Sequence, residues 1–161
     1  MGARVAGDWR GRASRTQPDA YERGRAAMAE HPDIALVRRG FEAWTSGDME
    51  TVGSLMTADC THHSPGSSQI SGHFKGRDNI IAMYGKMFEL TGGKMRVELD
   101  SVSVDGRGHA VAANKFYAER GDRGIEMKGA LIFTIMGGKI TDIDECVEDI
   151  EQSDAFWGQA G

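Results

Sequence analysis

The chain has 161 residues, enough for one domain and short for two. Hydrophobic residues make up 40% and charged residues 27%, as in soluble globular proteins, and the formal net charge of -5 argues against a nucleic-acid partner, which needs a basic face. No apolar run approaches the roughly 20 residues of a membrane-spanning helix, and the two cysteines, Cys60 and Cys146, make neither a disulfide framework nor a zinc-spaced cluster.

Residues 1–31 read as a leader. Met1 to Met28 holds six arginines, no lysine and three acids (Asp8, Asp19, Glu22), with little to bury. No continuous apolar stretch follows the arginines, as a secretory signal requires. A disordered or loosely docked extension is expected, with a folded domain over residues 32–158, a short tail at 159–161, and a cytoplasmic protein with reduced cysteines.

Within the domain, Ile34, Val37, Phe41 and Trp44 recur at helical spacing after a Pro32-Asp33 start, and Ser46-Gly47 ends that helix. Asp48 caps a second helix carrying Met49, Val52, Leu55 and Met56. A short strand is expected from Asp59 to Ser64, running into the loop Pro65-Gly66-Ser67-Ser68. Asp78 is expected to cap a third helix bearing Ile80, Ile81, Tyr84, Met87 and Phe88, stopped by Gly92-Gly93. The period then becomes two: Met95, Val97 and Leu99 alternate with charged residues, and Val102 and Val104 follow out of phase, which implies a bulge near Ser101. Turn chemistry at 105–108, 121–124 and 137–138 divides strands at about 109–119, 125–136 and 139–147. Helices followed by an antiparallel meander predict an α+β domain, with three helices on one face of the sheet.

This order resembles the nuclear-transport-factor-2-like fold. More specifically, His63-Ser64-Pro65-Gly66, then Gly72-His73-Phe74-Lys75-Gly76-Arg77-Asp78, resembles a segment of SnoaL-like domain proteins. Gly138-Lys139-Ile140-Thr141 and Asp154-Ala155-Phe156-Trp157 are similar to that family's ending. The resemblance implies a cone-shaped domain whose curved antiparallel sheet and helices enclose a pocket. It also implies relatives that act as isomerases or polyketide cyclases, and pairing into homodimers through the sheets. The departure from the family's epoxide hydrolase branch lies at Asn114 to Ala118, where the matching Arg and Asp are missing.

The pocket is expected to be apolar, lined by Tyr84, Met87 and Phe88 from the third helix, Trp44 from the first, and Phe116, Met127, Leu131 and Phe133 from the meander. Asn114 shares a strand face with Phe116 and is expected to orient a ligand carbonyl. His62 and His63 are strand neighbours, so only one looks inward. The resemblance places His63 at the motif position, as a general base or hydrogen-bond donor, or as a holder of the Pro-Gly loop. Glu145 lies between Ile143 and Val147 on one face of the last strand; if that face is the concave one, hydrocarbon neighbours make its carboxylate a better proton acceptor, whereas the rival register turns Ile140, Asp142, Asp144 and Cys146 inward and buries two acids. The acidic run from Asp142 to Asp154 lacks calcium-loop spacing and reads as a solvated edge and tail, with no metal site.

No phosphate loop, dinucleotide fingerprint or nucleophile elbow occurs, and no cofactor is expected. Two functions fit: a cofactor-independent isomerase or cyclase acting by proton abstraction on a hydrophobic carbonyl compound, or a non-catalytic binding or dimerisation module. An apolar convex sheet face (Val111, Tyr117, Ile132, Met136) also suggests a homodimer.

Overall fold

In the computed structural model, which describes residues 29–159 as a continuous stretch, helix α1 (Pro32–Thr45) begins as the Pro-Asp start implied. Proline's fixed φ suits the first turn, and the N-cap His31 accepts the amide of Asp33 through Nδ1 at 3.1 Å. Asp48 caps α2 (Met49–Ser54) by accepting from the Thr51 amide at 3.0 Å. There follow β1 (Met56–Ser64), β2 (Gly72–Lys75), α3 (Arg77–Thr91), β3 (Met95–Val104), β4 (His109–Arg120), β5 (Arg123–Met136), β6 (Lys139–Val147) and α4 (Ile150–Trp157). The reading of residues 1–28 as an extension falls outside the described stretch.

Four local expectations change, the first being that the second helix stops at Ser54, so Met56, expected on it, opens β1 three residues before the expected strand start at Asp59. The N-cap of α3 is Gly76, with no side-chain capping bond, while Asp78 sits in the first turn, where its charge meets the positive end of the helix dipole. Strand β2 falls between the expected loop and the third helix, where the sequence assigns no element, because four residues carry too little period to register. The fourth helix, α4, was read as a solvated tail, and eight residues with a largely polar surface hide its apolar pair, Phe156 and Trp157.

The six strands form one curled, unclosed sheet in the order β2-β1-β6-β5-β4-β3. The meander β3 to β6 is antiparallel as expected, but β1 runs parallel to β6, so the sheet is mixed. Hairpin chemistry reports only pairings between neighbours in sequence, and β1 reaches β6 across the whole chain between them. The expected bulge is present as a register shift between Leu99 and Ser101, and a second lies between Thr134 and Ile135. Each extra residue bends its strand, and together they help curl the sheet into a cone.

Helix α1 lies over β3 and β4, α3 over β1 and β2, and α4 against β5. The core fills the space beneath them. Val37 and Ile80 are fully enclosed there, each worth about 1.5–3 kcal/mol of burial. Strand β4 settles which face is concave: Ala110, Ala112 and Asn114 are buried, while Val111 is exposed.

Candidate active site

Between the helices and the concave sheet face lies a cavity of about 140 Å³. Its wall is mostly hydrocarbon and aromatic, with Trp44, Tyr84, Met87, Phe116, Met127, Leu131 and Phe133 all contributing. Phe88, expected among them, instead packs behind Trp44, with ring centroids 5.3 Å apart. It is one residue past Met87, and the helical turn of about 100° per residue carries it off the cavity wall.

One polar chain crosses this wall. The imidazole of His62 sits 2.8 Å from the Tyr84 hydroxyl through Nδ1 and 3.1 Å from Glu145 Oε2 through Nε2. Strand pairing brings the three together: His62 on β1 lies beside Ile143 on β6, two residues before Glu145, and α3 lays Tyr84 across β1. Burial, then the Glu145 charge, then Cys60 push the Tyr84 phenol far above its ordinary value, so it keeps its proton. Among the described residues its only side-chain partner is His62, so the hydroxyl donates to Nδ1. That leaves the imidazole proton on Nε2, donating to Glu145 Oε2. His62 is 2% exposed, whereas the Glu145 side chain keeps 27% of its exposure. Oε2 is therefore held, and Oε1 is the oxygen left to meet a ligand.

Of the two candidate catalytic residues, one faces the cavity. Glu145 faces the cavity with Ile143 and Val147, as strand alternation implied. His63 does not. It points outward from β1, exposed beside His73 of β2, with ring centroids 6.0 Å apart. The inward place belongs to His62, because the hydrogen-bonded registers of β2 and β6 fix which of two adjacent histidines faces the core.

The Pro-Gly loop serves another end. The Asp154 carboxylate of α4 accepts from the Ser67 amide at 3.0 Å, the Ser67 hydroxyl at 3.0 Å and the Ser68 amide at 3.1 Å. Gly66 has a φ of +91°, and a Cβ there would run into that carboxylate. The last turn of α4 is tied down as well: the Arg120 guanidinium donates to the carbonyls of Phe156 at 3.1 Å and Trp157 at 2.6 Å. These contacts set Trp157 into the cavity wall, a role the sequence reading did not assign to it. Two of the motif segments that carried the family resemblance, His63–Gly66 and Asp154–Trp157, thus meet at one clamp.

Residues 37–143 match the SnoaL-like domain family, and the chain belongs to it. An uncharacterised protein of Mycobacterium tuberculosis is 30% identical over 130 residues, covering 81% of this chain and 99% of that protein. Among solved structures, Bal32a from a soil-derived mobile gene cassette is 32% identical with a TM-score of 0.77, over 79% of this chain and 97% of that one. A putative SnoaL-like polyketide cyclase from Jannaschia sp. CCS1 shares the fold at 15% identity, with a TM-score of 0.65 over 82% of this chain and 99% of that one.

Proposed function

We propose that the protein is a cofactor-independent isomerase or cyclase that abstracts a proton from a hydrophobic carbonyl compound. The observation that carries this reading is the Glu145 carboxylate, which faces an apolar cavity with Oε2 held by a buried imidazole and Oε1 unengaged among the described residues. Oε1 takes the proton from a carbon next to the carbonyl. The electron pair of that C–H bond moves into the carbonyl, giving an enolate. Where the substrate carries a β,γ double bond, the enolate extends over it as a dienolate, and Glu145, now the acid, returns the proton to the γ carbon, which moves the double bond into conjugation and restores the base. His62 and Tyr84 are positioning residues: they hold the carboxylate in one rotamer without touching substrate.

The test is the conversion of 3-cyclohexenone to its conjugated isomer, followed by ultraviolet absorbance. The wild type should accelerate it, and Glu145→Gln should lose about 100-fold or more of that acceleration. Equal rates for the two proteins would overturn the assignment. Binding of cyclic ketones without turnover would favour the alternative, a non-catalytic ligand-binding module, a reading supported by the full engagement of both His62 nitrogens.

Homodimerisation through the convex sheet face belongs to the same proposal. Val111 and Ile132 pair directly across β4 and β5 and are 44% and 37% exposed, and Met136 is 69% exposed. Tyr117 adds less to this patch, since the Arg96 guanidinium lies 3.8 Å above its ring. A monomer mass by light scattering at micromolar concentration would exclude the dimer. Among the described residues no helix is long and apolar enough to cross a membrane, and the free thiols of Cys60 and Cys146 support cytoplasmic residence.

A further inference from the structure

The cavity has a second polar end, and its groups are unsatisfied. Asn114 is 9% exposed, yet among the described residues its only side-chain hydrogen bond is a long one, Nδ2 to the Ala112 carbonyl at 3.3 Å. Oδ1 has no partner among the described residues. Trp157 is 3% exposed, and its indole N–H likewise has none. Among the described residues, no side-chain nitrogen or oxygen sealed inside the protein lacks a hydrogen bond. The unpaired Oδ1 and indole nitrogen therefore open onto free space, and both residues line the cavity. Phe116 links them: it follows Asn114 on the same face of β4 and lies 5.9 Å from the Trp157 ring.

Strand β5 makes room at this end. Asn114 faces Gly129 across the β4–β5 pair, and a Cβ on Gly129 would stand 3.6 Å from Asn114 Oδ1 and 2.8 Å from the Cys146 carbonyl. Glu145 faces Leu131 on the other side of β5. The two polar ends are thus two strands and one pleat apart, about 12 Å between Cα atoms on strand spacings of about 4.8 Å. A volume of about 140 Å³ between them suits one ring, being close to that of an engineered cavity of about 150 Å³ that holds benzene.

We propose that Asn114 and Trp157 form the specificity end of the site, and that its ligands are single-ring carbonyl compounds bearing a hydroxyl group across the ring from the carbonyl carbon, whose neighbour Glu145 addresses. This rests on the proposed function only for the role of Glu145. A hydroxyl accepts from the Trp157 N–H and donates to Asn114 Oδ1, satisfying both. A bare carbonyl, the group expected from the sequence, accepts but does not donate, and would leave Oδ1 unpaired inside an apolar wall.

The test is calorimetric binding of 4-hydroxycyclohexanone, 4-methoxycyclohexanone and 4-methylcyclohexanone to the full chain. The methoxy probe keeps the acceptor and loses the donor. The hydroxy probe should bind about 10-fold or more tighter than the methoxy probe. Asn114→Leu should erase that preference, and Asn114→Asp, which keeps an acceptor oxygen, should retain it. Glu145→Gln should leave it intact, so a failed proton-transfer assay together with a retained preference would discard only the catalytic reading. Equal affinities in the wild type, a preference that survives Asn114→Leu, or no binding of any probe at millimolar concentration would overturn the proposal.

Discussion

Replacing Tyr84 by Phe removes one oxygen from the centre of the polar chain and leaves the ring in place. The ring makes its own contacts, edge-on to Trp44 at 6.3 Å and to His62 at 5.6 Å, and those persist. What is lost is the 2.8 Å bond to His62 Nδ1, on an imidazole that is 2% exposed and has no other donor to that nitrogen among the described residues. The cost combines a buried hydrogen bond with a stranded acceptor, about 2 kcal/mol in all. For a domain of this size that corresponds to a fall in Tm of roughly 6–10 °C. The assay is denaturant unfolding of Tyr84→Phe, His62→Leu and the double variant. Removing both partners leaves no stranded acceptor, and Glu145 at 27% exposure is reached by water, so the double variant should cost less than the sum of the singles by about 1–2 kcal/mol. A Tyr84→Phe variant within about 0.5 kcal/mol of wild type, or a coupling near zero, would refute the view that the hydroxyl orients the imidazole.

Asp154→Ala and Gly66→Ala should each destabilise the domain by about 1–3 kcal/mol, and the double variant should cost little more than either alone, since both break the clamp between the Pro-Gly loop and α4; full additivity in thermal unfolding would contradict this. The native protein should present one thiol to a disulfide reagent and two after unfolding, because Cys146 is exposed whereas burial pushes the Cys60 thiol up to about 11. Asp105 should titrate near pH 2 by carboxyl NMR, held down first by the Arg107 amide and then by His109. Its folded value lies below its unfolded one, so its contribution to stability is complete above about pH 4 and is lost as the pH falls toward 2. A midpoint near 4 would refute that reading.

Local chemistry made much of this fold legible in the chain. Proline at 32, aspartate at 48 and the glycine-rich turns at 105–108, 121–124 and 137–138 act over a few residues, so they mark helix starts and hairpins wherever the chain later goes. The shift of apolar phase between Leu99 and Val102 recorded the bulge for the same reason. Period-two alternation also put Glu145 on one face with Ile143 and Val147, and that face proved to be the concave one.

Other features are absent from any local window. Two adjacent histidines carry no mark of which one turns inward. That depends on the register of β1 against β2 and β6, whose residues lie up to about eighty positions away, and a shift of one residue would exchange His62 for His63. The parallel pairing of β1 with β6, which sets His62 beside Glu145, likewise arises only when the cone closes. Asn114 and Trp157 were visible as residue types, but their unpaired atoms have meaning only once α4 is clamped and the cavity has walls. The sequence by itself determined most of the elements, their order and the family, while β2 and α4 were too short to mark themselves. The tertiary structure decided which polar groups meet, because hydrogen bonds between distant strands are selected by global packing rather than by the residues on either side.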